Sequence, residues 1–523
     1  MSLSNKRSDD AFKFKLNGAE FWCQFLVTNN EDADKAYEST QGLMLTQTSI
    51  LQLDIDESLL EPFTTGSITI NNPFDYFDEN HNVDGTGKDY LHIRFYDYVD
   101  QENPNLDKVK LEYTFVITSE SNSVSKTDRS NNFKTFKLID YNYYKLNQEV
   151  PYDVCFPNSD TDKLIGDIIK DEILKEVLGG DIIDDLNWDS GSHSLNKTQG
   201  NNLVSNMQRV RCGVNWKYSD VLKYLLRFNY VETSNGLPVQ TILQFDRSIK
   251  KYTLKPLNVY FNSNEDLTTE AFALGDLTHA SSKNDSSYAT TANKNNPFSN
   301  DSIKFNEYSG TLKNTELSTP YTFYTNSYFT NYMVSTYDKF TGVNAVTKIT
   351  IEETKKLWEE DFIRSFKLLG GEAKSYLNFN SNANRPIKNY SIPQFDRDDS
   401  ISIVKAQMVS NLTFYNLQLN FSLLGDTARK PGIFLDIVKF SEEENKLDGK
   451  LLGKWFVTNI HHKFVRSRYQ NHITCIKPYI GPDIDRRGDD ASIDPNLIEQ
   501  QMRQPTGSGL DFPGGGYVGS GLV

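Results

Sequence analysis

Two groups of carboxylates are the first candidates for chemistry in this chain of 523 residues. Asp54, Asp56 and Glu57 form one group, and three aspartates between 396 and 399 form the other. Paired carboxylates of this kind act as acid and base in glycoside hydrolases. Acidic turns between strands have the same composition and are far more common. We therefore expect both groups to lie in turns, and we predict no catalytic residue and no enzyme.

The adjacent histidines His461 and His462 are candidate metal ligands, because imidazole nitrogens bind zinc. They lie in a predicted strand, where neighbouring side chains point to opposite faces of the sheet. Two such side chains do not easily share one metal ion. We therefore expect structural roles for both histidines.

A third candidate is the segment with Asp483, Asp485 and Asp494, which loosely resembles a calcium-binding loop. Arg487 stands at a ligand position, and Pro482 precedes the segment. The sequence contains no nucleophile elbow, phosphate-binding loop, zinc-protease motif or dinucleotide fingerprint. Its four cysteines form no Cys-x-x-Cys pair, which fits free thiols in a reducing compartment. We predict no metal site and no cofactor.

An aromatic run at 319–333 has two interpretations. Aromatic faces stack on sugar rings, so the run could form a carbohydrate-binding platform. Filling of a core or an interface is the interpretation we favour.

Length and composition predict three or four packed units, because 523 residues exceed what one hydrophobic core usually holds. The 28 Tyr and 32 Phe supply enough large side chains for real cores. The net charge of -15 argues against a protein that grips nucleic acid by its phosphates. No stretch approaches the roughly 18–20 apolar residues of a membrane span, and the first residues lack a signal peptide. We expect a protein that is made and kept in a cytosol, or delivered from one as part of a particle.

Period-two alternation of apolar and polar residues indicates half-buried strands near the start of the chain. It is clear at 51–56, 67–70, 91–95 and 111–117, and a further strand is predicted within 129–139. We therefore predict that residues 12–150 form a first tube-like β-barrel domain.

Helical spacing follows at 161–180, with an end at Gly179-Gly180. We assign 151–222 to a mixed helical connecting domain, and 223–260 to a helix and hairpin of a second barrel. Residues 261–400 are rich in Asn, Ser, Thr and Tyr, which predicts a long polar, strand-poor insertion with one helix at 352–369.

The strongest alternation of the chain runs from Tyr415 to Leu423. Leu412 and Phe414 are in the opposite phase, which predicts a β-bulge near 414–415. Further strands are predicted at 433–438, 454–462 and 469–477, so 401–480 forms a second tube-like β-barrel. Residues 481–523 are predicted to be a flexible Gly-rich tail. The predicted fold class is mainly β, with two barrels, a mixed intervening region and a long insertion.

Two stretches have a characteristic order of strands and turns. The first is LQLDIDESLLEPFTTGSITINNPFDYFDE followed by GKDYLHIRFYD. The second is LQLNFSLLGDTARKPGIFLDIVKF with LLGKWFVTNIHHKFVRSRYQNHITCIKPY. Their order resembles the central baseplate hub proteins of contractile-tailed bacteriophages, a family related to the head module of type six secretion spike proteins. Together with the hairpin and mid-chain helix between them, the resemblance covers roughly 15–255 and 400–480.

The resemblance implies a homotrimer whose six similar barrels form a ring between a sixfold tail tube and a threefold central spike. Its implied partners are the tail tube protein, the spike protein and other baseplate (wedge) proteins, with DNA passing through the lumen. The implied location is the tail baseplate of a virion assembled in a host cytoplasm. The residues that we predict to form interfaces or structural turns are Pro62, Gly66, Ile68, Ile70, Asn416, Gln418, Asn420, Gly425, Gly432, Gly453, Trp455, His462 and Tyr469.

Two other functional classes remain open at this point. One is a peripheral carbohydrate-binding tail component, which predicts glycan binding by 260–400. The other is a tail-associated cell-wall hydrolase, which predicts lysis of peptidoglycan.

Overall fold

The protein is described by a computed structural model, and the predicted mainly β fold with additional helices is confirmed. All structural statements concern the residues that the structure describes. These are 12–16, 19–38, 42–46, 48–72, 89–98, 104–123, 132–151, 154–159, 162–195, 209–262, 270–274, 313–318, 330–337, 344–363, 367–368, 371–372, 374–375, 387–390, 397–427, 429–439, 453–465 and 468–480.

The N-terminal part is built from strands that follow the predicted alternation, with two short helices. The strands are β1 (Phe12–Leu16), β2 (Ala19–Thr28), β3 (Leu43–Leu45), β4 (Ile50–Ser58), β5 (Thr65–Asn71), β6 (Tyr90–Tyr98), β7 (Pro104–Ser123) and β8 (Phe133–Asp140). The helices are α1 (Ala33–Glu38) and α2 (Tyr141–Leu146). Asp140 begins α2, because its carboxylate accepts hydrogen bonds from the backbone N–H groups of Asn142 and Tyr143.

The middle part is mixed. Its strands are β9 (Cys155–Phe156), β10 (Lys163–Leu164), β11 (Ile183–Trp188), β12 (Ser194–Leu195), β13 (Val210–Arg211), β14 (Tyr230–Glu232), β15 (Pro238–Asp246) and β16 (Lys251–Pro256). Its helices are α3 (165–178, with a π-helical centre at Ile168–Leu174), α4 (Tyr218–Leu226) and α5 (Leu257–Asn262). The predicted helix end is confirmed, because Gly179 follows α3 with a φ of 103° that favours glycine.

The last part contains further strands and two longer helices. The strands are β17 (Glu270–Leu274), β18 (Lys313–Ser318), β19 (Asn331–Tyr337), β20 (Asn344–Ile349), β21 (Lys367–Leu368), β22 (Gly371–Glu372), β23 (Lys374–Ser375), β24 (Ile387–Tyr390), β25 (Leu417–Leu424), β26 (Phe434–Lys439), β27 (Gly453–Val465), β28 (Arg468–Lys477) and β29 (Tyr479–Ile480). The helices are α6 (Ile351–Trp358), continued by a π-helical turn at Glu359–Ile363, and α7 (Arg397–Phe414).

One large sheet holds strands from both ends of the chain. Its order is β1-β2-β6-β7-β8-β5-β4-β27-β28-β25-β18. Outside this path, β3 pairs with β2, and β26 pairs with β27 on one side and with β17 on the other. Every neighbouring pair along the main path is antiparallel. The pairing of β4 with β27, which we call the seam, joins the N-terminal strands to the C-terminal strands.

A β-bulge lets β27 pair first with β26 and then with β4. Its first residues pair with β26, from Gly453 to Phe456, and its last residues pair with β4, from Asn459 to Val465. The register with β28 shifts between Val457 and Asn459. The extra residue bends the strand at the point where its neighbour changes.

The tip of the β27–β28 hairpin completes the N-terminal core. Phe464 and Tyr469 are 2% and 1% exposed and belong to the same buried cluster as Leu53, Ile68 and Phe136. Their rings stack at 4.1 Å, and Phe464 also stacks on Phe95 at 5.7 Å. The core of the N-terminal strands therefore depends on side chains supplied by β27 and β28.

Helix α7 corrects the prediction for 402–415. The expected bulge near 414–415 does not exist, because Leu412 and Phe414 end a helix and the strand begins at Leu417. The helix is buried on two sides: Ile403 packs into the core around α3 and α4, and Met408 packs into the core around α6. A helix between two cores has no continuous polar face, which removes the sequence signal of an amphipathic helix.

The prediction of a strand-poor segment after residue 260 is also wrong for the described residues. Strand β18 pairs with β25 and β17 pairs with β26, so both extend the large sheet. Strands β19 and β20 form a hairpin, and Val334, Ile349 and Trp358 are buried in a shared core. The predicted helix is present but ends at Ile363. The division of the chain into six units remains a prediction.

Candidate functional site

One face of the large sheet carries polar side chains from β7 across the seam to β25. The register aligns them in rows. One row is Ser119, Lys137, Ser67, Asp54, Lys463 and Gln470. A second row is Thr65, Asp56, His461, His472 and Ser422, and a third is Ser58, Asn459, Thr474 and Asn420. We call these three rows the polar face.

The opposite face of the same strands is apolar and buried. Leu53 and Ile55 on β4 are fully buried, and their neighbours Ile68 and Ile70 on β5 are each 1% exposed. Alternating side chains of a strand point to opposite faces, so the polar face follows directly from the predicted alternation. Ile68 and Ile70, predicted as interface residues, therefore lie in the core of a single chain.

A cleft of about 680 Å³ opens over the second and third rows of the polar face. Its lining includes Asp56, Asn459, His461 and His472 from the second and third rows. On its rim, Lys223 and Glu61 form an ion pair with an N–O distance of 2.8 Å. The cleft thus contains residues of the N-terminal, middle and C-terminal parts of the chain.

His461 bridges two carboxylates at the seam. Its Nδ1 lies 2.6 Å from Asp56 Oδ1, and its Nε2 lies 3.0 Å from Asp54 Oδ1. The hydrogen bond that His461 donates to Asp56, together with the negative charges of Asp56 and Asp54, raises the pKa of His461 in spite of partial burial. Asp54, Asp56 and Glu57 lie within β4, so the prediction that these carboxylates occupy a turn is wrong.

A buried ion pair lies beneath the polar face. Arg247, in the turn after β15, donates through Nε to Glu57 Oε1 at 2.8 Å, and the Tyr113 hydroxyl donates to the same oxygen at 3.0 Å. Burial acts to raise the pKa of Glu57, but Arg247 and the nearby His462 lower it to about 2. Arg247 also contacts Thr64 and lies 3.8 Å from Asp140.

His462 and Tyr469, both predicted to be structural, meet in one buried network. His462 Nδ1 lies 2.7 Å from the Tyr469 hydroxyl, and Asn471 Nδ2 is within 3.2 Å of both atoms. The Asn471 side-chain oxygen accepts hydrogen bonds from Arg429 Nη1 at 2.8 Å and from the Asp426 backbone at 2.7 Å. Burial raises the pKa of Tyr469, which keeps the hydroxyl protonated.

The four predicted turn glycines have different roles. A Cβ at Gly66 would lie 2.5 Å from the Asp54 carbonyl oxygen, so this glycine serves close strand packing in β5 and not a turn. A Cβ at Gly425 would lie 2.2 Å from the Tyr469 ring. Gly432 has a φ of 89° and donates its N–H to the Val457 carbonyl at 2.9 Å. Gly453 begins β27 opposite Ile437.

The remaining predicted residues are partly or fully covered. Asn416 links α7 to β25, since its amide donates to Leu412 O at 3.1 Å and its side-chain oxygen accepts from Leu417 N at 3.0 Å. Gln418 donates to Asn420 at 3.2 Å, and β18 covers this edge of β25. Trp455 is fully buried and Pro62 is buried before β5.

Several participants were not predicted. Arg247 lies 190 positions from Glu57 in the chain, and no local pattern links the two residues. Asp399, one of the three aspartates thought to lie in a turn, is buried near the start of α7. Its carboxylate lies 3.2 Å from His193 Nδ1. The loosely calcium-like segment at 483–494 and the aromatic run up to 329 lie outside the described residues, whereas Tyr332 is buried.

Among the described residues, no helix has the length and apolar character needed to span a membrane.

No protein-family model matches the chain, and no curated protein sequence matches it either. Solved structures similar to it include the tail protein from Neisseria meningitidis MC58, at 9% identity over 87% of this chain and 96% of that one, with a TM-score of 0.46. The 43 kDa tail protein of prophage MuSo2 from Shewanella oneidensis is similar at 8% identity over 88% and 99%, with a TM-score of 0.44. The E. coli c3393 protein, a component of the type VI secretion system, is similar at 9% identity over 86% and 77%, with a TM-score of 0.35.

Proposed function

We propose that this chain is a structural hub of a phage contractile-tail baseplate, which assembles as a homotrimeric ring. Three chains with two tube-like sheet units each would present six similar surfaces to the sixfold tail tube. The same ring would present threefold symmetry to a central spike protein. Wedge proteins would bind its outside, and DNA would pass through its lumen without specific binding.

The observation that carries the proposal is the continuous sheet across the seam. An adapter of this kind has to keep its two units in a fixed relative orientation. A row of backbone hydrogen bonds between strands does so more rigidly than a linker. Here the N-terminal strand β4 pairs with the C-terminal strand β27 over seven residues, from Asn459 to Val465. The hairpin tip at Phe464 and Tyr469 adds an interlocked core.

The polar face is the surface that we assign to the channel wall. It combines exposed residues such as Asp56 and Asn459 with hydroxyl and amide groups, and it crosses the seam without interruption. The carboxylates of Asp54 and Asp56 lie at its centre, and a chain with a net charge of -15 does not retain the phosphates of a passing DNA. We assign no catalytic role to it, because the carboxylates of Asp54 and Asp56 are bound to His461, and that of Glu57 is bound to Arg247.

Molar mass measured by light scattering over a concentration series tests trimer formation. The proposal predicts a shift from 59.8 kDa towards three times that value, about 179 kDa, as concentration rises. A monomer mass at every concentration would contradict self-assembly and favour a peripheral binding component.

The Gly432→Val variant tests whether the turn before β26 supports assembly. Valine at a φ of 89° is strained, and its Cβ would lie 3.1 Å from the Tyr260 ring, so the yield of trimer should fall. The Gly180→Ala variant is the control, since no atom lies within 4 Å of the added Cβ. Unchanged melting and unchanged trimer yield in Gly432→Val would refute the role of this turn.

A further inference from the structure

The geometry of His461 defines a protonation state. A neutral imidazole carries one N–H, whereas the imidazolium carries two. Both ring nitrogens of His461 lie within 3.0 Å of a carboxylate oxygen, Asp56 on one side and Asp54 on the other. Ionised carboxylates only accept hydrogen bonds, so both contacts are satisfied when the ring carries two protons.

The groups around His461 favour a proton at this ring. Asp54 and Asp56 face it from β4, His472 faces it from β28 at a ring-centroid distance of 5.6 Å, and Lys463 follows on β27. Burial and the positive charges of His461 and Lys463 lower the pKa of His472, whose Nδ1 lies 2.7 Å from Ser422 Oγ. Of the two facing histidines, His461 is therefore the one that takes up the proton.

The position of the bridge gives the proton a structural role. His461 lies directly opposite Asp56 in the ladder between β4 and β27, and Lys463 lies opposite Asp54 in the same ladder. Loss of the proton removes the His461 hydrogen bond from one of the two carboxylates, and it removes a positive charge from between two negative ones; Asp54 keeps the hydrogen bond from Gln52 Nε2 at 2.5 Å. The seam then has to hold a partly buried Asp54, 16% exposed, with fewer compensating contacts.

We propose that His461 is a proton-dependent clamp that tightens the seam between the N-terminal and C-terminal strands at mildly acidic pH and releases it as pH rises. Because the pKa of His461 is raised in the folded chain, the clamp is fully engaged below the pKa of an unfolded histidine, about 6.5. Its contribution is lost as pH rises through the folded-state pKa. The clamp goes beyond the hub function and does not depend on it.

Hydrogen exchange of the full-length chain between pH 6 and 9, corrected for the intrinsic exchange rate at each pH, tests the clamp. Peptides from β4 and from the second half of β27 should lose protection as pH rises, by up to about tenfold per pH unit within the window. Peptides from β15 and β16, which lie outside the seam, should keep a constant protection. Constant protection of the seam peptides would overturn the proposal.

Three variants separate the clamp from a general loss of stability. His461→Gln should lower seam protection at pH 6 and remove its pH dependence, whereas His472→Gln should leave that dependence in place. Asp56→Asn keeps the histidine but removes one carboxylate, so the loss of protection should occur at a lower pH. A wild-type pH dependence in His461→Gln, or an unshifted one in Asp56→Asn, would contradict the clamp even if one of the variants is unstable.

Discussion

At the residue scale, Gly66 shows why a glycine is needed inside a strand. Its missing Cβ leaves room for the Asp54 carbonyl, which would otherwise be at 2.5 Å. We predict that Gly66→Ala destabilises the chain by about 1–3 kcal/mol, because β4 and β5 must move apart. Urea unfolding measures this, with Gly180→Ala as the matched control at an open position. Equal stabilities of the two variants would show that the strands adjust freely.

The buried Glu57 predicts that the stability of the chain depends on pH in the acidic range. Its pKa is lowered to about 2, so its contribution to stability is complete above about 4.5 and is lost as pH falls towards 2. Glu57→Gln leaves Arg247 buried with a neutral partner and should cost about 3–5 kcal/mol at pH 7. The cost should shrink between pH 4.5 and 2.

The control for this experiment is Glu61→Gln, which removes the same charge from an exposed pair with Lys223. Exposed ion pairs contribute about 0–1 kcal/mol, so this variant should unfold almost as wild type. A small and pH-independent effect of Glu57→Gln in chemical unfolding at several pH values would contradict the assigned role.

At this scale the sequence predicted structural roles for His462 and Tyr469 but could not predict their partners. Adjacent histidines in a strand had to face opposite sides, and they do: His461 lies on the polar face and His462 lies in the core. The role of Arg247 was not predicted, because the local spacing of residues does not indicate a long-range ion pair. The acidic group was assigned to a turn from its composition, although Asp54 and Asp56 lie within the alternation at 51–56, and β4 continues past it to include Glu57.

At the scale of elements, the β27–β28 hairpin holds the two ends of the chain together. We predict that Phe464→Ala destabilises the N-terminal strands by about 3–5 kcal/mol, because it opens a cavity beside Phe95. Val465→Ala, at a neighbouring and 38% exposed position, is the control and should have little effect. The readout is the hydrogen-exchange protection of β2 and β6.

An unchanged protection of β2 and β6 in Phe464→Ala would show that the core of the N-terminal strands is independent of the β27–β28 hairpin. The strands themselves were predictable, because a half-buried strand alternates with period two. Helix α7 was not, since Ile403 and Met408 are buried in different cores and leave no polar stripe. The strands β17 and β18 were not predicted, because they lie in a segment of polar composition. Their structure is determined by pairing with β26 and β25 more than by their composition.

At the scale of the whole molecule, the large sheet makes the chain one connected scaffold. Its mainly β class followed from composition and alternation, whereas the seam could not be predicted. The pairing of β4 with β27 joins residues about 400 positions apart, such as Asp56 and His461. No local pattern specifies such a partner, and the resemblance to hub proteins indicated the two units without their connection.

The measurement that most directly tests the central claim is single-particle electron microscopy of the purified chain at the concentrations where it self-associates. The hub proposal predicts a threefold ring with six similar lobes and a central channel. The polar face, including Asp56, His461 and Asn459, should lie on the channel wall. A particle without threefold symmetry, or a ring that carries this face on its outer surface, would contradict the proposal.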